Sequence, residues 1–230
     1  MKELPTSDIY EQEFKYMPWG TLIDRVVALI STTAPRNGTV LDLMCGPGYL
    51  LGKIRERRRD MFLEGIDANG GFIEHARKAY NTIKFSVADV MLWKATRAYD
   101  LVICTGGLHH LLYEHQEKFL KGISSLLKPN GLGILADPYI DDYTNEEERQ
   151  LAAALLGYEY LAATIRKGAP EAVVKAALDI LDNDVMGKEF KTSIRKMKPI
   201  LESIFSGVEI HKTWPAIDFE YGEYYLLVRK

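Results

Sequence analysis

Nine residues, Val40-Leu41-Asp42-Leu43-Met44-Cys45-Gly46-Pro47-Gly48, constrain this chain more than any other stretch. They describe a short apolar strand with an acidic residue near its end, then a glycine turn feeding a helix. A second apolar run, Met61-Phe62-Leu63-Glu64-Gly65-Ile66, leads to Asp67, 19 residues after Gly48. Glycines let main chain approach a ligand closely, and a carboxylate one strand over suits ribose hydroxyls. The pairing therefore points to a nucleoside-containing cofactor.

From Val40 to Ala136 apolar runs alternate with amphipathic segments. Strands are expected at Val40–Leu43, Phe62–Ile66, Ile83–Val87, Asp100–Cys104 and Gly131–Ala136, with helices over Tyr49–Arg58, Gly71–Tyr80 and Glu114–Leu127. Short, almost continuously apolar strands separated by helices imply a parallel sheet covered on both faces. Lys128-Pro129-Asn130-Gly131 is expected to stop the last of these helices. Before the core, Trp19–Thr33 reads as an amphipathic helix presenting Leu22, Val26, Leu29 and Ile30. After it, helices are expected over Asn145–Ile165, Pro170–Met186 and Ser193–Phe205. The runs Val208–Trp214 and Tyr224–Val228 then make an antiparallel hairpin at the sheet edge.

At 230 residues the chain suits one large domain or a domain with a cap. A net charge of -3 argues against a broad nucleic-acid footprint. The basic run Arg55-Glu56-Arg57-Arg58-Arg59 fits the solvated last turn of a helix, where cations suit the dipole. No apolar stretch reaches the ~20 residues a bilayer span needs, and the first eight residues hold no hydrophobic signal core. The two cysteines, Cys45 and Cys104, fall at strand ends without metal-site spacing, so a cytoplasmic protein without disulfides is expected.

Four polar sites fall at the carboxyl ends of consecutive strands, where open parallel sheets bind ligands. They are the Gly46/Gly48 turn, Asp67, Asp89 in Phe85-Ser86-Val87-Ala88-Asp89-Val90, and Cys104-Thr105-Gly106-Gly107-Leu108-His109-His110. With these in register the chain resembles the class I S-adenosylmethionine-dependent methyltransferases, closely over about Val40–Asp137. That resemblance implies a doubly wound, mostly parallel seven-stranded α/β sheet with a C-terminal antiparallel hairpin and a helical cap insertion. Residues 1–37 would form a helical segment over the cofactor site, 38–137 with 193–230 the core, and 138–192 the cap.

Under the resemblance, Asp42, Cys45, Gly46 and Gly48 would hold the methionine end of S-adenosyl-L-methionine, Asp67 the ribose, and Asp89 and Val90 the adenine. Ala68 and Phe72 would wall the adenine, Cys104 would meet the ammonium, and Tyr16 would lie against the cofactor. The family usually has glycine where this chain has Met44. A nicotinamide dinucleotide is the competing cofactor, but its fingerprint wants glycine at Leu51, whereas Gly52 comes one place late.

Methyl transfer from a sulfonium needs positioning, dryness and sometimes a base, so neither a metal nor a covalent triad is called for. His109 and His110 are the candidate bases, against capping or packing roles. Asp137, Tyr139, Tyr10 and Trp19 are candidate substrate contacts. The cap helices would bring Tyr158, with Tyr160 beside it, over a small-molecule acceptor; their alternative use is a homodimer interface. Lys188-Glu189-Phe190-Lys191-Thr192-Ser193 offers polar groups to the site, although Thr192 and Ser193 also suit a helix N-cap. The acceptor atom is expected to be oxygen or nitrogen. The alternatives are modification of a tRNA nucleoside, a carboxymethyl-cofactor synthase-like reaction, or a non-catalytic cofactor-binding scaffold.

Overall fold

The computed structural model describes residues 7–216 and 218–230; the first six residues of the expected N-terminal segment lie outside them. Two helices, α1 (Ser7–Tyr16) and α2 (Trp19–Thr33), precede an alternation of β1 (Thr39–Leu43), α3 (Tyr49–Arg57), β2 (Phe62–Asp67), α4 (Gly70–Ala79), β3 (Lys84–Val87) and β4 (Tyr99–Thr105). A short 3₁₀ turn at Leu108–His110 leads to α5 (Tyr113–Leu126) and β5 (Leu127–Tyr139). The remainder is α6 (Glu146–Arg166), α7 (Glu171–Val185), α8 (Ile194–Ile204), β6 (Gly207–Trp214) and β7 (Gly222–Arg229).

The seven strands run in the order β3-β2-β1-β4-β5-β7-β6. Strands β1 to β5 are mutually parallel, while β7 pairs antiparallel with both β5 and β6. The expected hairpin therefore forms, with its second strand inserted inside the sheet and β6 left at the edge. The order reverses beside β1, between β2 and β4, and opens the crevice that such sheets offer to a ligand.

Both faces of the sheet are covered. One carries Val26, Ile30, Leu51, Ile54, Ile73 and Phe85 from α2, α3, α4 and β3. The other carries Phe119, Leu120, Ile123, Met197 and Leu201 from α5 and α8. On α2 the buried stripe is Leu22, Ile23, Val26, Val27 and Ile30, and Leu29 is only partly covered. The helix meets the sheet over a wider arc than a strict two-position seam.

Most element boundaries move by one or two residues from the sequence-based expectation, and those of β5 move furthest. Helix α5 ends at Leu126, and Lys128-Pro129-Asn130-Gly131 belongs to the start of β5, where the register against β4 shifts and Asn130 takes φ 63°. Strand β5 also continues past Ala136 to Tyr139, because β7 pairs Asp137 with Tyr224 and Tyr139 with Gly222. A third apolar cluster joins α6 and α7 through Leu156, Tyr160, Val173 and Ala177 to Met17, Ile140 and Tyr221. Asn145 begins α6 by accepting from the Glu148 amide at 2.9 Å, while the Glu148 carboxylate accepts from the Thr144 amide at 2.7 Å, a reciprocal cap. No helix among the described residues is long and apolar enough to cross a membrane.

Gly65 shows how tightly the sheet supports the glycine turn. A Cβ there would lie 2.8 Å from Cys45 Sγ and 2.9 Å from both Leu51 Cδ1 and Phe85 Cδ1. Gly65→Ala is expected to cost about 1–3 kcal/mol in urea unfolding, as overpacking does; an unchanged midpoint would show that this seat is loose.

Candidate functional site

The turn after β1 is built from left-handed residues. Gly46 has φ 53° and Gly48 φ 83°. A Cβ on Gly48 would also meet Phe85 Cζ at 2.8 Å and Ala76 Cβ at 3.0 Å, so glycine is required there twice over. Met44, where the family usually has glycine, also takes a positive φ, 58°. That conformation costs an L-residue about 1–2 kcal/mol. Its side chain lies against Gly107 beyond β4: a Cβ on Gly107 would be 2.8 Å from Met44 Cε.

Asp67 ties this turn to the next strand. Its Oδ2 accepts from the Gly46 amide at 2.9 Å and its Oδ1 from the Asn69 amide at 2.8 Å. A carboxylate offers about four acceptor positions, so two remain for a cis-diol. Asn69 in turn caps α4, accepting from the amides of Gly71 and Phe72. Asp89 accepts from the Met91 amide at 2.8 Å through Oδ1 alone. Ala68 and Asp89 are exposed, and Phe72 and Val90 are partly covered. A cleft of about 540 Å³ opens at Val90, lined also by Leu43, Trp93, Phe119 and Leu126.

Asp42 tests whether the cradle suits the cofactor. It is 1% exposed, and neither carboxylate oxygen has a hydrogen-bond partner. Burial, reinforced by Asp67, pushes its pKa well above the ordinary carboxylate value. A buried, unmatched acid beside left-handed main chain fits a ligand bearing an ammonium and hydroxyls. Cys45 and Cys104 are both buried thiols, pushed up by burial and by neighbouring acids.

Helix α1 lies over the cradle. The ring of Tyr10 packs on Trp19 at 5.1 Å and Phe72 at 6.2 Å, and its hydroxyl reaches the open side of Gly46. Burial, then Glu13, Asp42 and Asp67, hold the Tyr10 phenol far above its usual pKa, so it stays neutral. Tyr10, a candidate acceptor contact, thus lies against the glycine turn. Trp19 packs both on Tyr10 and on the cap cluster. Tyr16, expected at the cofactor, packs with the cap cluster instead, because it closes α1 on the side of Met17.

Beyond β4 and β5 the sequence-based assignments change most. His109 is buried, and both ring nitrogens are engaged: Nδ1 lies 3.1 Å from each oxygen of Asp137, and Nε2 lies 3.0 Å from Glu189. Burial opposes its charge, but Asp137 and Glu189 outweigh it and raise the pKa to about 10. Both ring nitrogens of His109 are thus directed at carboxylates. His110 is half exposed, with Nδ1 3.7 Å from Glu189 Oε1, and is the better placed of the two. Asp137 is 3% exposed and also accepts from the His109 amide at 3.0 Å, so it braces His109. Tyr139 is 1% exposed, stacks edge-on against Tyr224 and belongs to the core. Tyr158 points outward at 57% exposure, on a face shared with Leu151, Leu155 and Ile165. Its neighbour Tyr160 turns inward and donates to Glu223.

The residues singled out in sequence omit Asp184 and Glu223 of this buried cluster, and hold Glu189 and Lys191 only as members of a charged run. Lys191 lies 2.5 Å from Asp184 and 3.5 Å from Glu189, all three buried. Glu223, 1% exposed at the start of β7, has Oε2 without a partner, and burial raises its pKa to about 7. The one available signal was the charged run Lys188–Lys191; Ser193 beside it does form the α8 N-cap, accepting from the Lys196 amide.

A methyltransferase-domain family profile matches residues 40–131. The chain is 25% identical over 194 residues to a trans-aconitate 2-methyltransferase from Acidovorax sp. (strain JS42), covering 84% of this chain and 74% of that protein. It is 30% identical over 125 residues to a carboxy-S-adenosyl-L-methionine synthase from Campylobacter curvus (strain 525.92), covering 53% and 52% respectively. In fold it resembles the plantazolicin methyltransferase BpumL, solved with a monoazolic desmethylPZN analog and SAH. The TM-score is 0.64 at 12% identity, over 97% of this chain and 98% of that one.

Two outcomes are expected. Asp67→Asn turns one acceptor into a donor facing backbone amides, and should weaken S-adenosylhomocysteine binding in calorimetry by about 10–100-fold; unaltered affinity would remove Asp67 from the site. For Glu223 the folded pKa, about 7, lies above the reference value of 4.5, so folding retains a proton between those values. Its contribution is complete below pH 4.5 and is lost as pH rises toward 7. Melting temperatures of Glu223→Gln should lack that component of the decline, and parallel pH profiles would refute the assignment.

Proposed function

Because the chain belongs to the class I S-adenosylmethionine-dependent methyltransferases, we propose that it methylates an oxygen or nitrogen of a small-molecule acceptor held between the β4–β5 rim and the α6–α7 cap. The bound cofactor supplies a methyl group already activated on a sulfonium. The turn at Asp42, Gly46 and Gly48, with Asp67 and Asp89, is the proposed cradle. Tyr10 and Trp19 on α1 and α2 shield it from water. Positioning of the acceptor about 3–3.5 Å from the methyl carbon is the main task left to the protein. His110 is the proposed acceptor of the leaving proton, a contribution of about 10²–10⁴-fold where such a base acts.

The observation that carries the acceptor class is the charge of the cap–rim junction. Asp137, Asp184, Glu189 and Glu223 are buried there with only His109 and Lys191 among them, and both cations are held in ion pairs. Arg149, the buried cation of α6, is forked onto Glu146. An acceptor held against this acid-rich junction would be rich in hydrogen-bond donors, a hydroxyl or amine compound in preference to a polycarboxylate. It also sets the reading apart from the acid named in the Acidovorax relative. The carboxymethyl-cofactor alternative draws support from the Campylobacter relative's similarity alone, and that similarity covers about half of each chain.

The test is transfer of isotopically labelled methyl from S-adenosylmethionine into fractionated cell metabolites. Label is expected in a hydroxyl- or amine-bearing compound, with His110→Ala lowering turnover while S-adenosylhomocysteine affinity stays constant. Label appearing in trans-aconitate would refute the acceptor class, and a carboxymethylated cofactor in mass spectra would replace methyl transfer altogether.

A further inference from the structure

His109, His110 and Glu189 bring one possible ligand atom each within 4.8 Å of one another, although the histidines stand some eighty residues from the glutamate. His109 Nε2 and Glu189 Oε2 are 3.0 Å apart, and His110 Nδ1 and Glu189 Oε1 are 3.7 Å apart. Around one ion with bonds of about 2.1 Å, neighbouring ligands lie about 3.0–3.4 Å apart, so small side-chain adjustments suffice. Sequence spacing predicts no such set, because a pair of adjacent histidines lacks its third member locally.

Two further observations point the same way. His109 Nδ1 faces the Asp137 carboxylate at 3.1 Å, and that carboxylate is itself held by the His109 amide. A metal-bound imidazole characteristically donates its second N–H to a fixed carboxylate, which sets its tautomer and turns Nε2 toward the ion. The surroundings also suit a cation. The buried acids Asp137, Asp184 and Glu189 outnumber the buried cations His109 and Lys191, and Lys191 sits closest to Asp184; buried charge of this kind demands compensation.

We propose that His109, His110 and Glu189 bind a divalent first-row transition ion of the Zn²⁺ or Fe²⁺ class, with Asp137 positioning His109. Two neutral imidazoles and one carboxylate are a donor set suited to these ions, and three protein ligands leave coordination positions open for water or an acceptor oxygen. On binding, the ion takes the Nε2 lone pair of His109 and the proton there passes to solvent. The half-exposed His110 ring provides the entry side. An ion here would stand at the acceptor end, where it can acidify a bound hydroxyl; it would then replace the base role proposed for His110, whose lone pair it takes. The proposal stands independently of the methyl-transfer reading, since binding is measured with neither cofactor nor acceptor.

The test uses the full chain, stripped with chelator and titrated with Co²⁺ by visible absorption and with Zn²⁺ by calorimetry. One ion per chain is expected. His110→Ala, an exposed change that leaves the core intact, should weaken Zn²⁺ binding at least tenfold. Asp137→Asn should weaken it by about 10–100-fold without changing stoichiometry. His115→Ala, on α5 and outside the triad, should bind as the wild type does. A wild-type chain that takes up no ion, a His110→Ala variant with unchanged affinity, or equal loss in His115→Ala would each overturn the site. If Asp137→Asn does not fold, His110→Ala decides alone.

Discussion

Two backbone amides converge on the carboxylate of Asp67, and the ligand-binding half of the molecule is organised by that convergence. Through Gly46 it fixes the turn after β1, and through Asn69 it fixes the start of α4. Each bond is charge-assisted, worth about 1.5–3 kcal/mol. The carboxylate therefore does two things with one charge: it helps hold a left-handed turn in which Met44 alone is strained, Gly46 and Gly48 being glycines, and it keeps acceptor positions beyond those two amides. Asp42 next to it does the opposite. Its buried oxygens have no partner, so the fold holds an unmet polar demand where the ammonium of S-adenosylmethionine would be satisfied.

The far end of the rim is governed by a different economy of charge. His109, Asp137, Glu189, Lys191 and Asp184 are all buried and mutually paired. Groups of this kind contribute little net stability relative to apolar packing, but losing one member leaves the others uncompensated. Their arrangement locks the segment after α7 onto the turn after β4, helped by the Phe190 amide donating to the His109 carbonyl at 2.7 Å. The α6–α7 segment is thus anchored to the rim through buried ion pairs. Burial, not sequence adjacency, sets His109 between the carboxylates of Asp137 and Glu189.

Met44 links the two ends. It stands where a glycine would be easier, and its side chain fills the space above Gly107 beside Cys104. Substituting glycine would relax the backbone and open that space. A strained residue held between the cofactor turn and the acceptor loop is the kind of local exception that functional sites retain.

Much of this was legible in the chain alone. The strand-turn-helix at Val40–Gly48, the acids Asp67 and Asp89 at strand ends, and the helix Trp19–Thr33 follow from periodicity, glycine and local capping, which act over a few residues. A parallel sheet and a C-terminal hairpin followed from that pattern together with the family resemblance, whereas the strand order, with β7 between β5 and β6, is seen only in the structure. What tertiary structure decided were the partnerships across long separations: Glu189 with His109, Tyr160 with Glu223, Tyr10 over Gly46. The sequence marks each of these side chains only as polar or aromatic. Which of Tyr158 and Tyr160 turns inward depends on how α6 rolls against α7 and β7, and no local signal records that rotation. Cofactor geometry is written in backbone conformation, which neighbouring residues dictate; the acceptor end is written in side-chain encounters, which exist only once the cap has closed on the sheet.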